Sequence, residues 1–385
     1  MGAVKIIMTR RERINRTMRG EEVDRPPLNF YELNGLTENP SDPDPFNVFN
    51  HPSWKPLLDL TRDRTDRIVI GKIPCPDGPW FPFYGAMKWE KKMEGGSLFT
   101  TGTLQAGGKT FTLRQRRDPD VNTVWTLEHL LKDAEDLEAF LELPWEDYGR
   151  KPDVSGFLDL EKKLGDTGIV MVDMADPLCG ASELFDMGDF TMVAFGEKEL
   201  FHRILEKFAR VIQERTEAIA AALPGRLWRL PGPEYATPPY LPPALFEEFV
   251  VRYDRPLIEA IHKTGGWARI HSHGKIRGVL PHIIATGADG IDPVEPPPQG
   301  DVELSYVREN FGKQLVLFGN IEITDIENLD APEFMKKVAE ALEQGTAGTG
   351  RGFVLQPSAC PLGREVTPRT MRNYTIMADM AEKMG

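Results

Sequence analysis

Residues 266–292 read GWARIHSHGKIRGVLPHIIATGADGID, and this stretch predicts the repeating unit of the fold. It begins with an apolar, strand-like run that ends in two histidines one residue apart and a glycine. A helix is predicted over 275–286, and a second short strand follows in GADGIDPVE. Apolar strands of about four to six residues that alternate with longer helices indicate parallel βαβ units.

The same alternation continues through the rest of the chain. Further strands are predicted in PPLNFYE, DRIVIGKI, GIVMVDMADP, GRLWRLPGPE, KQLVLFGNIE and GRGFVLQPSAC, and long helices over 195–223, 243–265, 301–310, 331–344 and 367–383. Eight parallel strands in a chain of 385 residues favour an α/β fold of the (β/α)8 TIM-barrel class. A dinucleotide-binding sheet is disfavoured because no G-x-G-x-x-G follows any predicted strand.

Two segments depart from this alternation. The basic run TRRERINRTMRG predicts a helical lead-in to the barrel, with Thr9 as its N-cap and Gly20 as its stop. Residues 77–124 carry β-forming residues on both sides of a Gly-Gly pair, which predicts an antiparallel β-insertion after the second barrel strand. We expect residues 1–385 to form one domain, with the insertion over one end of the barrel as a flap, a lid or a docking surface.

Composition limits the classes of partner. With 46 basic and 59 acidic residues the formal charge is −13, which argues against nucleic acid or an anionic membrane as the main partner. No apolar run approaches the roughly 20 residues that a membrane helix needs. Cys75, Cys179 and Cys360 are too few and too scattered for a disulfide framework. We therefore expect a reduced, cytoplasmic protein whose cysteines are available as thiolate ligands.

Strand ends supply the candidate site residues, because barrel enzymes build their active sites at the C-terminal ends of the strands. The predicted strands end in Glu32, Asp173, Asp176, Glu234, His271, His273, Asp292, Glu295, Asn320 and Cys360. If their strand continues, His271 and His273 point the same way. Two imidazoles together with the Cys360 thiolate would form a zinc set, which Glu234 would close as an oxygen ligand.

Structural roles are open for the same residues. A histidine of this pair could hydrogen-bond the barrel rim, and a lone cysteine after a strand also fits a small buried hydrophobic residue. Glu234 and Glu295 could pair with Arg229 or Arg269. Asp173 and Asp176 form either an acid/base pair or a capping turn before a proline.

Longer stretches carry a family resemblance. RRERINRTMRGEEVDRPPLNF resembles the opening of the uroporphyrinogen decarboxylase superfamily, and residues 266–292 with the later LVLFGNI resemble its last third. True decarboxylases of that superfamily carry an arginine-rich R-x-P-x-W-x-M-R-Q-A-G-R segment at the first strand, which grips substrate carboxylates. Here that place reads DRPPLNFYELNGLTENP, with no arginine after Arg25, so the clamp for a polycarboxylate is missing.

The chain is more similar to another branch, the cobalamin-dependent methyltransferases of the coenzyme M type. These bind zinc through H-x-C and a distant cysteine, and the matching positions are His271, His273 and Cys360, with histidine at 273 in place of cysteine. Histidine is also a zinc ligand, and a site with one thiolate instead of two holds a more electrophilic metal. A thiol, a methyl ether or another methyl donor therefore fits as substrate.

The resemblance implies zinc-dependent methyl transfer between a small molecule and a corrinoid or a corrinoid protein. Glu234 would be a fourth ligand or a proton-handling group, and Asp173 a second catalytic candidate. One alternative is a metal-free decarboxylase that uses Asp173 or Asp176. Another is a protein that binds a corrinoid or tetrapyrrole without catalysis.

Overall fold

The computed structural model describes residues 8–145 and 151–385. Its strands are β1 (Arg67–Gly71), β2 (Lys88–Glu94), β3 (Ser97–Ala106), β4 (Lys109–Arg117), β5 (Val124–Glu128), β6 (Gly168–Asp173), β7 (Leu227–Pro231), β8 (Trp267–His271), β9 (Gly290–Asp292), β10 (Val316–Ile321) and β11 (Phe353–Pro357). Seven of them form one sheet in the order β1, β6, β7, β8, β9, β10, β11, and every pair in it is parallel. The predicted parallel α/β architecture is confirmed.

Helices follow most of the parallel strands. They are α1 (Arg10–Arg19), α2 (Trp54–Arg64), α3 (Pro82–Ala86), α4 (Ala134–Leu141), α5 (Ser155–Leu164), α6 (Pro177–Ser182), α7 (Met187–Gly196), α8 (Lys198–Ala222), α9 (Pro243–Phe246), α10 (Arg252–Lys263), α11 (Leu280–Thr286), α12 (Leu304–Phe311), α13 (Ile323–Asn328), α14 (Ala331–Thr346) and α15 (Pro368–Glu382). Of the helices in the described residues, none is both long and apolar enough to cross a membrane.

The predicted first strand is the element that differs from expectation. Residues 26–32 form no regular strand; Leu28 makes a single parallel bridge to Leu355 of β11. Pro26 and Pro27 have no N–H to donate, and Tyr31 has a φ of 52°, which ends the extended run. On the other side, the Leu28 carbonyl accepts a hydrogen bond from Asp66 N just before β1. The sheet is therefore TIM-barrel-like. It has seven regular strands, and residues 26–32 form hydrogen bonds to β11 at one edge of the sheet and to Asp66, just before β1, at the other.

The two faces of the sheet bury different residues, because successive side chains of a strand point to opposite sides. On one face a compact apolar cluster contains Ile68, Met171, Leu227, Phe318 and Val354, and α1 packs on it through buried apolar side chains. The opposite face belongs to the main core, where the surrounding helices pack. The part of the strands that α1 covers is therefore apolar, and the polar side chains lie towards the other end of the strands.

The predicted lead-in helix is confirmed, including its caps. The Thr9 side chain accepts from Glu12 N, and Gly20 at the C-terminal end has a φ of 69°, the left-handed conformation that glycine adopts at little cost. From α1, the buried Arg13 pairs with Asp24 and with Asp66. The helix is thereby tied to the segment that bridges the edges of the sheet.

The later helices are confirmed with shifted boundaries. The helix predicted over 275–286 begins only at Leu280, because Pro281 is accommodated in a first turn and not in a helix interior. The long helix predicted over 243–265 is divided by a π-helical turn over Glu247–Val251.

The β-insertion is confirmed and is larger than the predicted hairpin. β3 and β4 pair across Gly107 and Gly108, both with positive φ, and β2 and β5 extend the antiparallel sheet on either side. Its strands end at Glu128, four residues past the predicted boundary of 124. Phe111 packs edge-on against Phe140 of α4, which anchors the sheet to the barrel-like body.

Candidate functional site

Polar and charged side chains collect at the C-terminal ends of the parallel strands. Asp173, His271 and Asp292 are the last residues of β6, β8 and β9. Strand pairing places Asp173 opposite Arg229, Arg229 opposite Arg269, and His271 opposite Asp292. These are the positions at which enzymes with barrel folds carry their catalytic groups.

Arg229 is the centre of the first group. Its guanidinium donates to both carboxylate oxygens of Asp173, at 2.7 and 2.9 Å, and to the Tyr31 hydroxyl at 2.6 Å. A further contact reaches Glu32 Oε1 at 3.2 Å. Burial would lower the pKa of Arg229, but its contacts, those with Asp173 foremost, raise it. The guanidinium is thus fully engaged by the protein, and so is the Asp173 carboxylate.

Asp292 links the second arginine to the first histidine. The carboxylate is fully buried and lies 3.2 Å from Arg269 Nε and 3.0 Å from His271 Nδ1. Burial acts to raise the pKa of Asp292, but Arg269 and His271 outweigh it and hold the pKa well below its usual range. Asp292 is therefore a carboxylate that fixes the ring of His271.

His273 has a matching carboxylate partner. Its Nδ1 lies 2.7 Å from Glu295 Oε1, and the other Glu295 oxygen accepts from Gly274 N at 2.7 Å. Burial lowers the pKa of His273, but Glu295 more than reverses this and the pKa is raised. The rings of His271 and His273 are 4.6 Å apart between centroids and nearly perpendicular, at 88°. The structure therefore brings the two predicted histidines together, although β8 itself ends at His271.

The two imidazoles fit a zinc ion in one respect. Histidine ligands of metals usually donate their second ring N–H to a carboxylate, which fixes the tautomer and turns the free nitrogen to the metal. Both Nδ1 atoms are held in this way, by Asp292 and by Glu295. The Tyr31 hydroxyl lies 3.5 Å from His271 Nε2, too distant to occupy it firmly.

The other predicted ligands lie in different surroundings. Glu234, in a 3-10 turn after β7, accepts from Gly232 N at 2.8 Å, and its charge acts on His273. Cys360 is a buried free thiol whose pKa is raised to about 12, chiefly by burial and then by Glu32. Within residues 8–145 and 151–385, no three His, Cys, Asp or Glu side chains form a group able to hold a metal. The four-residue zinc set stays a prediction.

Sequence reasoning missed Glu322, which follows β10 directly. The side chain is only 5% exposed; Oε2 accepts from Ser358 Oγ at 3.0 Å, and buried Oε1 has no hydrogen-bond partner among the described residues. Burial, and then the charge of Glu295, raise the pKa of Glu322 to about 7. Its position one residue beyond a buried strand was the signal that could have found it.

Comparison with known proteins places the chain in a family. The family model described as uroporphyrinogen decarboxylase (URO-D) matches residues 119–378, so the chain belongs to this family. No curated protein matches. Among solved structures, a methyltransferase from Methanosarcina mazei superposes with a TM-score of 0.60 at 16% identity, over 97% of this chain and 99% of that one.

Weaker structural matches add nothing to the functional argument. A D-psicose 3-epimerase from Clostridium cellulolyticum gives a TM-score of 0.33 at 10% identity, over 62% of this chain and 94% of that one. At 16% identity, the likeness to the Methanosarcina protein shows the shared fold.

Proposed function

We propose that this member of the uroporphyrinogen decarboxylase family is a zinc-dependent methyltransferase that moves a methyl group between a small molecule and a corrinoid or corrinoid protein. The family and the methyltransferase of the same fold support methyl transfer as the reaction class. Zinc comes from the ligand chemistry of His271 and His273 and from the resemblance of their motif, and the corrinoid comes from that resemblance alone.

The carboxylate-anchored histidine pair is the observation that carries the proposal. Asp292 and Glu295 hold Nδ1 of His271 and His273, so each ring presents Nε2 as its free donor. The two imidazole rings are held with their centroids 4.6 Å apart, so they lose little further conformational freedom when they bind a metal. Zinc held there would act as a Lewis acid on the atom that carries or receives the methyl group.

Cys360 and Glu234 complete the proposed ligand set. Metal binding by Cys360 requires the thiolate, so its thiol, with a pKa raised to about 12, must lose a proton when zinc binds. Within the described part of the chain, the Glu234 carboxylate is held only by a main-chain N–H of its own turn, which leaves its second oxygen available to a metal or to a bound water.

The two buried arginines argue against decarboxylation of a polycarboxylate. Arg229 is engaged by Asp173, Tyr31 and Glu32, and Arg269 is paired with Asp292. Arg229 has its donors engaged by the protein, and Arg269 is only 2% exposed, so neither is placed to form the bidentate contacts that grip a substrate carboxylate. This agrees with the missing arginine clamp in the segment after Arg25.

Zinc content and turnover of matched variants test the proposal. We expect about one zinc per chain in protein purified without added metal. His271→Ala and Cys360→Ser should lose zinc and methyl transfer, Glu234→Gln should keep zinc and lose most transfer, and His282→Ala, outside the site, should keep both. Protein that binds no zinc even when zinc is supplied would refute the proposal, and an active Glu234→Gln enzyme would remove Glu234 from the site.

A further inference from the structure

The β-insertion forms one wall of a cavity. A space of about 460 Å³ lies between β4 and β5 on one side and the segment around α6 on the other. Aromatic and aliphatic side chains make up much of its wall, among them Tyr84, Phe185, Met187 and Tyr235. The insertion therefore forms part of the wall of this cavity.

Glu183 is the charged group of this cavity. Its Oε1 accepts from the Cys179 thiol at 3.6 Å, and the residue is exposed to solvent. The lining contains no lysine or arginine. The His129 imidazole in the lining turns to the main chain, with Nδ1 at 3.2 Å from the Glu183 carbonyl oxygen. Among the described residues, Glu183 thus has no basic side chain as an ion-pair partner.

Aromatic rings flank this carboxylate. Tyr84 and Tyr235 line the cavity together with Glu183, and both phenols interact electrostatically with its carboxylate. The ring faces of neutral tyrosine and phenylalanine attract cations. Rings and an unpaired carboxylate together form the type of pocket that recognises a quaternary ammonium group.

We propose that this cavity binds a methylated ammonium ion, with Glu183 as its counter-ion and the rings of Tyr84, Phe185 and Tyr235 around its methyl groups. An anionic ligand would meet the carboxylate of Glu183 and no lysine or arginine there, and a neutral methyl ether would gain no charge attraction from Glu183. The inference rests on the proposed function only in making this ion the methyl-bearing substrate; the binding itself does not depend on zinc.

The cavity adjoins the proposed zinc site. Tyr235 lines the cavity and directly follows Glu234, whose charge acts on Glu183 as well as on His273. A methylated cation held by Glu183 would therefore lie within the electrostatic reach of Glu234, a proposed zinc ligand. The ion also provides the positive charge that this acidic region lacks.

Binding of choline, measured by calorimetry at constant ionic strength, tests the assignment. We expect choline to bind at least about tenfold more tightly than its neutral isostere, in which carbon replaces the nitrogen. Glu183→Gln should abolish that preference. Tyr84→Leu should weaken choline binding and Tyr84→Phe should preserve it, while Glu138→Gln on the exposed face of α4 should bind choline as the unaltered protein does.

Equal affinity for choline and the isostere, or unchanged choline binding by Glu183→Gln, would overturn the proposal. Tighter binding of a neutral aromatic methyl ether than of choline would assign the cavity to ethers instead. His271→Ala separates the two proposals, because it removes a zinc ligand and leaves the cavity wall intact. If His271→Ala still binds choline, the cavity proposal stands whether or not that variant has lost zinc. If the unaltered protein contains zinc but does not bind choline, only the cavity proposal is refuted.

Discussion

Asp173 is the last residue of β6 and Asp176 lies three residues further on, yet their surroundings are opposite. Asp173 lies opposite Arg229 in the neighbouring strand and is paired with it through both oxygens. Asp176 is fully buried, caps α6 through Cys179 N at 2.6 Å, and faces the equally buried Asp254 of α10. Burial and the charge of Asp254 raise the pKa of Asp176 well above its usual range.

The comparison shows that partners, and not burial alone, decide the charge of a buried carboxyl. Asp292 is as deeply buried as Asp176, yet Arg269 and His271 keep its pKa low. The pair Asp176–Asp254 has no base and must hold a proton. One group is a set of ion pairs, which we call the floor (Asp173, Arg229, Arg269, Asp292); the other is a neutral acid pair.

The largest expected effect comes from breaking the floor. Arg229→Met keeps the aliphatic stem but leaves Asp173 and the Tyr31 hydroxyl without their donor. Removal of one partner of a buried ion pair costs about 3–5 kcal/mol, and we expect a decrease in the free energy of unfolding in that range. Urea titration followed by circular dichroism measures it.

An exposed ion pair provides the control for that measurement. Arg252 pairs with Glu206 at 3.0 Å, and each side chain is 55% exposed. Arg252→Met should cost no more than about 1 kcal/mol. Equal losses for Arg229→Met and Arg252→Met would show that the floor does not stabilise the fold as a buried network.

The acid pair should respond to mutation in the opposite direction. Because the folded pKa of Asp254 is raised, the stability from its bound proton is complete below the unfolded pKa of about 3.9 and is lost as the pH rises towards the folded value. Asp254→Asn needs no proton and still offers an N–H to Asp176. At pH 8 we expect it to be more stable than the unaltered protein by on the order of 1–3 kcal/mol, the cost of an uncompensated buried polar group.

Thermal unfolding at pH 4.5 and pH 8 measures this difference. The gain from Asp254→Asn should shrink at the lower pH, where the unaltered pair is protonated. Asp77→Asn, at an exposed position, should show no gain at either pH. A stability loss of the same size at both pH values would mean that the Asp254 carboxyl makes a contact that the amide cannot replace.

The sequence predicted the positions of these groups better than their partners. Strand ends correctly located Asp173, His271, His273 and Asp292 at one end of the sheet, since the apolar runs before them mark parallel strands. The pairing of Asp173 with Arg229 could not be predicted from the sequence, because this contact depends on the register between β6 and β7. A register shift by one residue would turn every side chain of a strand to the opposite face.

The fold shows the same limit. Seven of the eight predicted strands are regular, and the exception contains Pro26 and Pro27, whose missing donors the periodicity does not reveal. The acid pair was beyond prediction because Asp254 lies on a helix, among apolar residues that indicate only a buried face. Glu322 was missed for a simpler reason, since Asn320 was the candidate from the stretch KQLVLFGNIE, although that stretch ends in Glu322 and β10 ends one residue before it.

The smallest expected effect concerns His273, whose side chain is 40% exposed and which pairs with Glu295 as the residues of the floor pair with one another. Burial lowers the pKa of His273, and Glu295 raises it above the usual value. Glu295→Gln in chelator-treated protein should therefore lower the pKa of His273, because the neutral amide removes the attraction and leaves the burial. The raised pKa makes the ion pair stabilising at pH values below it, and for a partly exposed pair we expect its loss to cost less than about 1 kcal/mol at pH 5 and nothing at pH 8.

Imidazole titration by NMR measures the pKa, with His262, which pairs with Asp289 at 2.8 Å, as the internal reference that should not move. A pKa of His273 that stays raised in Glu295→Gln would show that other carboxylates, Glu234 first, hold its proton, and the contrast between paired and unpaired acids would then not extend to this histidine.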